Sequence, residues 1–346
     1  MKLKRSGKQT VVFNTPPIIA ASGVIVGEME GAGPLGKYFD KVLTDDTWGE
    51  ESWEKAERKM FEYAVRFALE KTGSTTEDVD CLLGGDLLNQ IISANFAARE
   101  LKTPFLGLYG ACSTMAESLL IGSMLIDGGY ADLIACAATS HFCTAERQYR
   151  LPLEMGVQPT PTAQRTVTGA GCSLLADAQI KITRQYESVC VSGGTIGRVV
   201  DLGITDSSNM GAAMAPAAHR TLCAHLEDMG RSIADYDVII TGDLGSFGSR
   251  MFIELCDESG VDVSQRHMDC GNTIFSPDQK VNCGGSGCGC AASVLNAYLL
   301  KRMEAGDFER ALFMATGALM SPTSGLQSDS IPGIAHAVVL ERRCMV

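Results

Sequence analysis

A chain that carries the same stretch twice is built from two copies of one architecture, and this sequence of 346 residues does so. Residues 69–87 align without gaps on residues 226–244. Leu69/Leu226, Glu70/Glu227, Gly73/Gly230, Asp78/Asp235, Asp80/Asp237, Gly85/Gly242, Asp86/Asp243 and Leu87/Leu244 are identical, eight positions in nineteen. Each copy reads as a helix end, a glycine stop, an Asp-x-Asp turn and a short apolar strand (residues 81–83 and 238–240) that closes on Gly-Asp-Leu. The aspartates of those closing tripeptides, Asp86 and Asp243, read equally as caps of the next segment and as groups that face a ligand.

A second matched block extends the repeat. The helix after Cys112 and the strand at residues 133–138 have counterparts in a helix over 291–304 and a strand over 311–315, with Cys112 on Cys290, Gly128 on Gly306 and Tyr130 on Phe308. The spacing between blocks is 21 residues longer in the second copy, and residues 267–283, with a Ser276-Pro277-Asp278 turn, read as a hairpin filling that insertion. Helices alternating with short, nearly continuous apolar strands predict parallel or mixed sheets covered by helices on both faces, twice over, in a layered α/β body. The division falls at residues 1–185 and 186–346, with the two halves intertwined as one unit. Ligands in such folds gather at the carboxyl ends of the strands, which collects Asp86, Cys112, residues 139–141, Asp243, residues 288–290 and residues 316–321 on one side.

Composition removes several functions. With 41 acidic against 29 basic residues and a formal charge of −12, the chain repels nucleic-acid phosphates and anionic lipid, so nucleic acid is not an expected partner. Thirteen cysteines, an odd number with no Cys-x-x-Cys pair, point to thiols in a reducing, intracellular compartment. Lys2, Lys4, Arg5 and Lys8 precede an apolar run of only residues 11–13, too short for a signal peptide. No stretch approaches the roughly twenty apolar residues of a transmembrane segment, so membrane contact is expected to be peripheral.

Cys112 stands where an apolar run, residues 105–109, turns through Gly110 and Ala111 into a helix with apolar positions Met115, Leu119 and Ile126 on an amphipathic face. Thr114 and Glu117 have the spacing of a capping box, so the helix is expected to begin within a residue or two of the thiol. Free amide groups and the positive helix end at such a mouth stabilise a thiolate. The same residue also reads as a small buried hydrophobe.

A cysteine at a helix mouth in the first of two duplicated α/β halves resembles the pattern of the thiolase and ketosynthase superfamily, over nearly the whole chain. The segments Trp53-Glu54-Lys55-Ala56-Glu57-Arg58, Gly85-Asp86-Leu87-Leu88-Asn89-Gln90, Gly110-Ala111-Cys112-Ser113-Thr114, Thr144-Ala145-Glu146-Arg147-Gln148, Gly284-Gly285-Ser286-Gly287-Cys288 and Ile334-Ala335-His336 resemble one branch of it, the stage V sporulation protein AD family. That resemblance implies an internally duplicated thiolase-like fold, layered α-β-α-β-α. It also implies a protein of spore-forming bacteria that helps move dipicolinic acid (pyridine-2,6-dicarboxylate), as its Ca²⁺ complex, into the developing spore. By the same resemblance it works beside membrane proteins of its operon, on the cytoplasmic side of the forespore inner membrane. Superfamily members commonly pair through first-half strands, so a homodimer is implied too.

The resemblance breaks at the catalytic partner. Condensing enzymes of the superfamily set a histidine against the cysteine, at the strand end of the second half. Here that strand end reads Thr241-Gly242-Asp243, and the glycine-rich turn 284–290 supplies neither Asn nor His. His141 and His336 are the candidate replacements; His141 reads alternatively as a surface loop residue and His336 as a buried hydrogen-bonded one. Cys283, Cys288 and Cys290 lack a fourth ligand, so neither metal nor cofactor is expected.

A small aromatic dicarboxylate wants cationic or N–H donors at both ends of an apolar slot. Arg147 and Arg150 are the candidate donors, and they pair as readily with Glu146 and Glu154 on an exposed face. Asp86 or Asp243 could complete the oxygen shell of a ligand-bound Ca²⁺. The expected pocket has Cys112 at its floor and Asp86, Asn89, His141, Asp243, Cys288 and His336 on its walls. Two functions fit: dipicolinate binding without chemistry, or a Cys112-dependent acyltransferase that handles thioesters. The missing histidine favours binding.

Overall fold

The protein is described by a computed structural model over residues 4–149, 159–186 and 189–342. The first half runs β1 (Ile18–Val26), α1 (Trp53–Glu70), β2 (Cys81–Gly85), α2 (Ile92–Leu101), β3 (Phe105–Gly107), α3 (Thr114–Asp127), β4 (Leu133–Ser140), α4 (Phe142–Tyr149) and β5 (Gly169–Ala176). The second half runs β6 (Val189–Thr195), α5 (Met210–Met229), β7 (Val238–Thr241), α6 (Gly245–Glu258), β8 (His267–Asp269) and α7 (Cys270–Ile274). It continues with α8 (Cys288–Val294), extended through a π turn at Leu295–Leu299 into the helix Leu300–Glu304, then β9 (Arg310–Ala318) and β10 (Gly333–Arg342).

The duplication is written into the strand order. The first sheet is ordered β3-β2-β4-β5-β1 and the second β8-β7-β9-β10-β6, the same sequence of pairings in each. In each sheet the first three strands are parallel and the last two pair antiparallel. The two sheets meet where Ile18 of β1 pairs with Cys190 of β6. Residues 69–87 and 226–244 both run from a helix end through a turn into a strand.

Burial follows from the residue pattern. α1 starts on Ser52, whose hydroxyl accepts Lys55 N–H at 3.3 Å, and its buried positions Ala56, Met60, Phe61, Ala64, Val65 and Ala68 recur at helical spacing against the first sheet. α5 and α6 cover the outer face of the second sheet in the same way. α3 and α8 lie between the sheets, where Met115, Leu119, Leu295 and Leu299 pack with Ile134, Leu175, Phe313 and Val338. Five layers result, α-β-α-β-α. Truncating a side chain such as the fully buried Leu119 to alanine there would cost about 2–5 kcal/mol.

Three local expectations are corrected. α3 is not amphipathic, because a helix between two sheets is buried on both sides, and Thr114, Ser118, Gly122 and Ser123 are buried with its apolar residues. Its capping box does not form: the Thr114 hydroxyl donates back to Ala111 O at 2.7 Å, and Glu117 Oε2 is left buried without a partner. Residues 267–283 are not a hairpin. β8 pairs parallel with β7, in the place that β3 holds in the first sheet, and the Asp269 side chain then accepts Asn272 N–H at 3.1 Å and turns the chain into α7. Among the described residues no helix is long and apolar enough to cross a membrane. Eleven cysteines there are free, and Cys190 is disulfide-bonded.

Candidate active-site pocket

The helix-mouth turn that carries Cys112 is a short 3-10 segment, Ala111–Ser113, leading into α3. Ala111 has φ +49°, a left-handed conformation that costs an alanine roughly 1–2 kcal/mol and aims the following residue sharply. β9 lies so close beneath this turn that a Cβ on Gly317 would stand 2.4 Å from Gly110 O. The repeat thus brings the strand end of the second half under the cysteine of the first.

Asp243, just beyond β7, occupies the position where a histidine was missing. Its Oδ1 accepts Thr316 Oγ1 at 2.8 Å, its Oδ2 accepts Gly287 N–H at 2.9 Å, and its carboxyl lies beside the Cys112 thiol. Gly287 has φ +100°, and a Cβ there would meet Ser140 Oγ at 2.7 Å, so only glycine lets this amide reach the carboxylate. Burial pushes Asp243 up to about 7, held back by the Gly287 and Thr316 donors. Burial, then the neighbouring Asp243 and Cys288, push the Cys112 thiol well above its ordinary range. The expected thiolate is corrected: at the helix mouth, desolvation and a carboxyl outweigh the amide N–H groups and the helix dipole.

Cys112 lines a narrow, partly open pocket of about 40 Å³. Its apolar wall is Leu87, Ala145, Met210, Ala318 and Met320; Tyr109, Tyr149, Thr166 and Ser286 bring hydroxyls to it. The two tyrosine hydroxyls lie 3.1 Å apart, and Tyr149 also donates to Leu87 O. The lining contains no charged side chain among the described residues.

Of the residues expected on its walls, Cys112 alone lies there. Asp86 is a buried cap: it accepts Leu88 N–H at 2.8 Å and Ala94 N–H at 2.7 Å, and burial raises it to about 6. Asn89 is exposed and borders an adjoining shallow groove with Leu88, Gln90, Ile91, Tyr109 and Met320. His141 is buried in a loop contact, with Nε2 2.8 Å from Asp46 O and Nδ1 accepting Cys143 N–H at 3.2 Å; burial lowers its pKa. His336 lies on β10, accepts Gly197 N–H at 3.1 Å, and is lowered to about 4 by burial. Cys288 is buried with its thiol donating to Thr139 O at 2.8 Å. Arg147 pairs with Glu54 and stacks 5.2 Å from the Trp53 ring. Arg150 lies outside the described residues. No group of three or more His, Cys, Asp or Glu is placed to hold a metal ion among the described residues.

Tyr149, Thr166, Met210 and Ser286 were not legible as pocket residues. Ala145 and Tyr149 share a face of α4 at i, i+4 spacing, a readable signal. Thr166 and Ser286 meet only through pairing of the two-residue strands Arg165–Thr166 and Gly285–Ser286, which local pattern does not announce.

Comparison with known proteins agrees with this fold. The chain resembles solved structures of 3-oxoacyl-[acyl-carrier-protein] synthase III from Aquifex aeolicus VF5 (14% identity, TM-score 0.56, 94% of this chain and 99% of that one) and human mitochondrial 3-ketoacyl-CoA thiolase in complex with CoA (13%, 0.59, 96% and 99%). It also resembles cerulenin-bound OleA from Xanthomonas campestris (15%, TM-score 0.62, 95% and 97%). At these identities the likeness establishes a thiolase-like fold. The Stage V sporulation protein AD of Bacillus subtilis (strain 168) is 46% identical over 340 residues, 98% of each chain. The family profile for Stage V sporulation protein AD matches residues 7–341, and the chain belongs to that family.

Proposed function

We propose that the protein serves sporulation by binding dipicolinate in the Cys112 pocket, without covalent chemistry, for uptake into the developing spore. The observation that carries this reading is the Asp243 carboxyl set against the Cys112 thiol. A histidine there would accept the thiol proton and leave a nucleophile; a buried carboxyl adds negative character and keeps the sulfur protonated. The character of the lining suits a flat ligand, with Leu87, Ala145, Met210 and Met320 for its ring and the Tyr109, Thr166 and Ser286 hydroxyls for its polar edge, and the walls must part beyond the present volume of about 40 Å³ to admit it.

The uncharged lining favours the Ca²⁺ chelate over the bare dianion, because the metal neutralises carboxylates that meet no cation from the described wall. Asp86 and Asp243 are engaged by amide donors, so the ion would keep the ligand's own oxygens and water. No cofactor is required. The proposal extends to a homodimer, peripheral on the cytoplasmic side of the forespore inner membrane beside membrane proteins of the same operon.

Equilibrium dialysis of dipicolinate with and without Ca²⁺, run beside intact-mass measurement after incubation with acyl-CoA, tests this reading. Saturable uptake with no mass increment is expected. Acylation of Cys112 with turnover, and no saturable uptake, would replace it with a thioester-handling enzyme.

A further inference from the structure

Two sets of buried acids stand directly behind the walls of this neutral pocket. Behind Cys112 is Asp243, fully buried, facing Thr316 on β9, the Gly287 amide, the Cys288 and Cys290 thiols on α8, the Cys270 thiol on α7 and the Asp269 carboxyl beside it. Behind Leu87 is Asp86, and against it Glu57 from α1, both fully buried. Thr144 on α4, one residue from the lining Ala145, donates its hydroxyl to Glu57 Oε2 at 2.8 Å. Ser93 on α2 lies beside both acids, and neither its hydroxyl nor Glu57 Oε1 makes a hydrogen bond.

The other groups acting on this pair are the Glu54 carboxylate, the Cys288 thiol and the Tyr109 hydroxyl, none of them cationic. Arg147 is committed to Glu54, and Arg165 stacks on Phe142 at 3.7 Å, acting on Glu30 and Cys143. A carboxylate pair in this setting cannot be doubly ionised without large cost, and Glu57 Oε1, which accepts nothing, is the natural seat of a proton.

We infer that ligand binding is proton-linked: when a free dicarboxylate enters the pocket, Asp243 and the Glu57–Asp86 pair take up protons from solvent, so a bare dianion binds more tightly as pH falls. The inference rests on the binding function proposed above. It follows from charge: an anion pressed against the neutral wall raises the cost of each carboxylate behind it, and a proton from water is the available counter-ion. Burial already raises Asp86 to about 6 and Asp243 to about 7, so both exchange protons near neutral pH. The Ca²⁺ chelate brings its own counter-charge and needs no such uptake.

The experiment is calorimetric titration of the full chain with dipicolinate between pH 6 and 8, in buffers of different ionisation enthalpy, with and without Ca²⁺. For the wild type without Ca²⁺, affinity is expected to rise roughly tenfold from pH 8 to pH 6, with net proton uptake; with Ca²⁺ the dependence should shrink to about twofold. Asp86→Asn and Asp243→Asn should each remove part of the uptake, and the double variant nearly all. A pH-independent affinity, or an uptake unchanged in both single variants, would overturn the linkage. Absence of saturable binding at every pH would refute the ligand reading itself. Infrared spectroscopy needs no ligand: protonated-carboxyl absorption at neutral pH, of which one component is lost in Glu57→Gln while that of Asp243 remains, is expected, and absorption unchanged by Glu57→Gln would overturn the shared proton.

Discussion

Replacing Asp243 with asparagine separates the charge of this buried group from its shape. Asp243 is buried completely, and its carboxyl rises from 3.8 to about 7. The folded state therefore holds a proton that the unfolded chain releases between those values, so this group's contribution to stability is greatest below about pH 4 and is lost as pH climbs to about 7. The whole loss is roughly 4 kcal/mol, taking 1.36 kcal/mol for each pH unit between the two values. Asparagine carries no charge at any pH, but with one carboxyl oxygen replaced by NH₂ it cannot accept from both Thr316 and Gly287, which the carboxyl does on separate oxygens, a constant cost of about 1–3 kcal/mol. Asp243→Asn should thus be less stable than the wild type at pH 4 by about 1–3 kcal/mol, close to it at pH 5, where the wild type has lost about 1.6 kcal/mol of this term, and more stable by about 1–3 kcal/mol at pH 8. Urea unfolding of both proteins across this range gives the difference directly. His225, His267 and His336, each lowered to about 4, weaken both proteins as pH falls below their ordinary range and cancel in that difference. A gap between the two proteins that stays constant from pH 5 to 8 would refute the buried, protonated Asp243.

Other perturbations have distinct expected outcomes. Arg147→Ala should leave dipicolinate affinity within about twofold, because its guanidinium is held by Glu54 and Trp53; a loss of about 1.5–3 kcal/mol in a titration would mean that it pairs with a ligand carboxylate. Ala111→Gly should raise the unfolding free energy by roughly 1 kcal/mol by relieving the φ of +49°, and denaturant curves showing a loss would contradict the strain. The proposed homodimer would cover the edge strand β3, where Leu106 is 52% exposed beside Ile92 and Phe96 of α2. Light scattering should give twice the 36.8 kDa chain mass, and Leu106→Asp should shift it to the monomer; a wild-type mass of one chain would exclude the dimer.

The duplication was legible because repetition is a relation between residues that needs no geometry, whereas the strand order was not read from it. Gly85-Asp86-Leu87 against Gly242-Asp243-Leu244 located equivalent strand ends, and equivalent strand ends are where such a fold opens its pocket. Cys112 was legible from its local context, an apolar run turning through Gly110 and Ala111 into a helix. What a strand-end rule cannot tell is which way a side chain faces. Asp86 and Asp243 are equivalent in the repeat, yet the first turns under α2 to cap it and the second turns to the thiol. His141 sits just past a strand end and His336 lies inside β10, and each spends its ring on a nearby main-chain group. The thiolate expectation failed because a helix mouth is visible in sequence whereas the dielectric around it is not: burial of Cys112 between two sheets reverses the sign of the shift. The hairpin expected over 267–283 failed because Asp269, a cap in the structure, carries no local sign of which amide it accepts.

The central claim is that the Cys112 cavity is a binding pocket, and filling that cavity tests it most directly. Ala318 lines the cavity and is almost fully buried, so Ala318→Trp would occupy the space a flat ligand needs. Titrated with dipicolinate in the presence of Ca²⁺, the wild type should bind one ligand per chain. Cys112→Ala should change the affinity only by the loss of a contact worth about 1 kcal/mol. Ala318→Trp, folded by circular dichroism, should show no saturable binding. Undiminished binding by Ala318→Trp would place the ligand elsewhere and contradict the account.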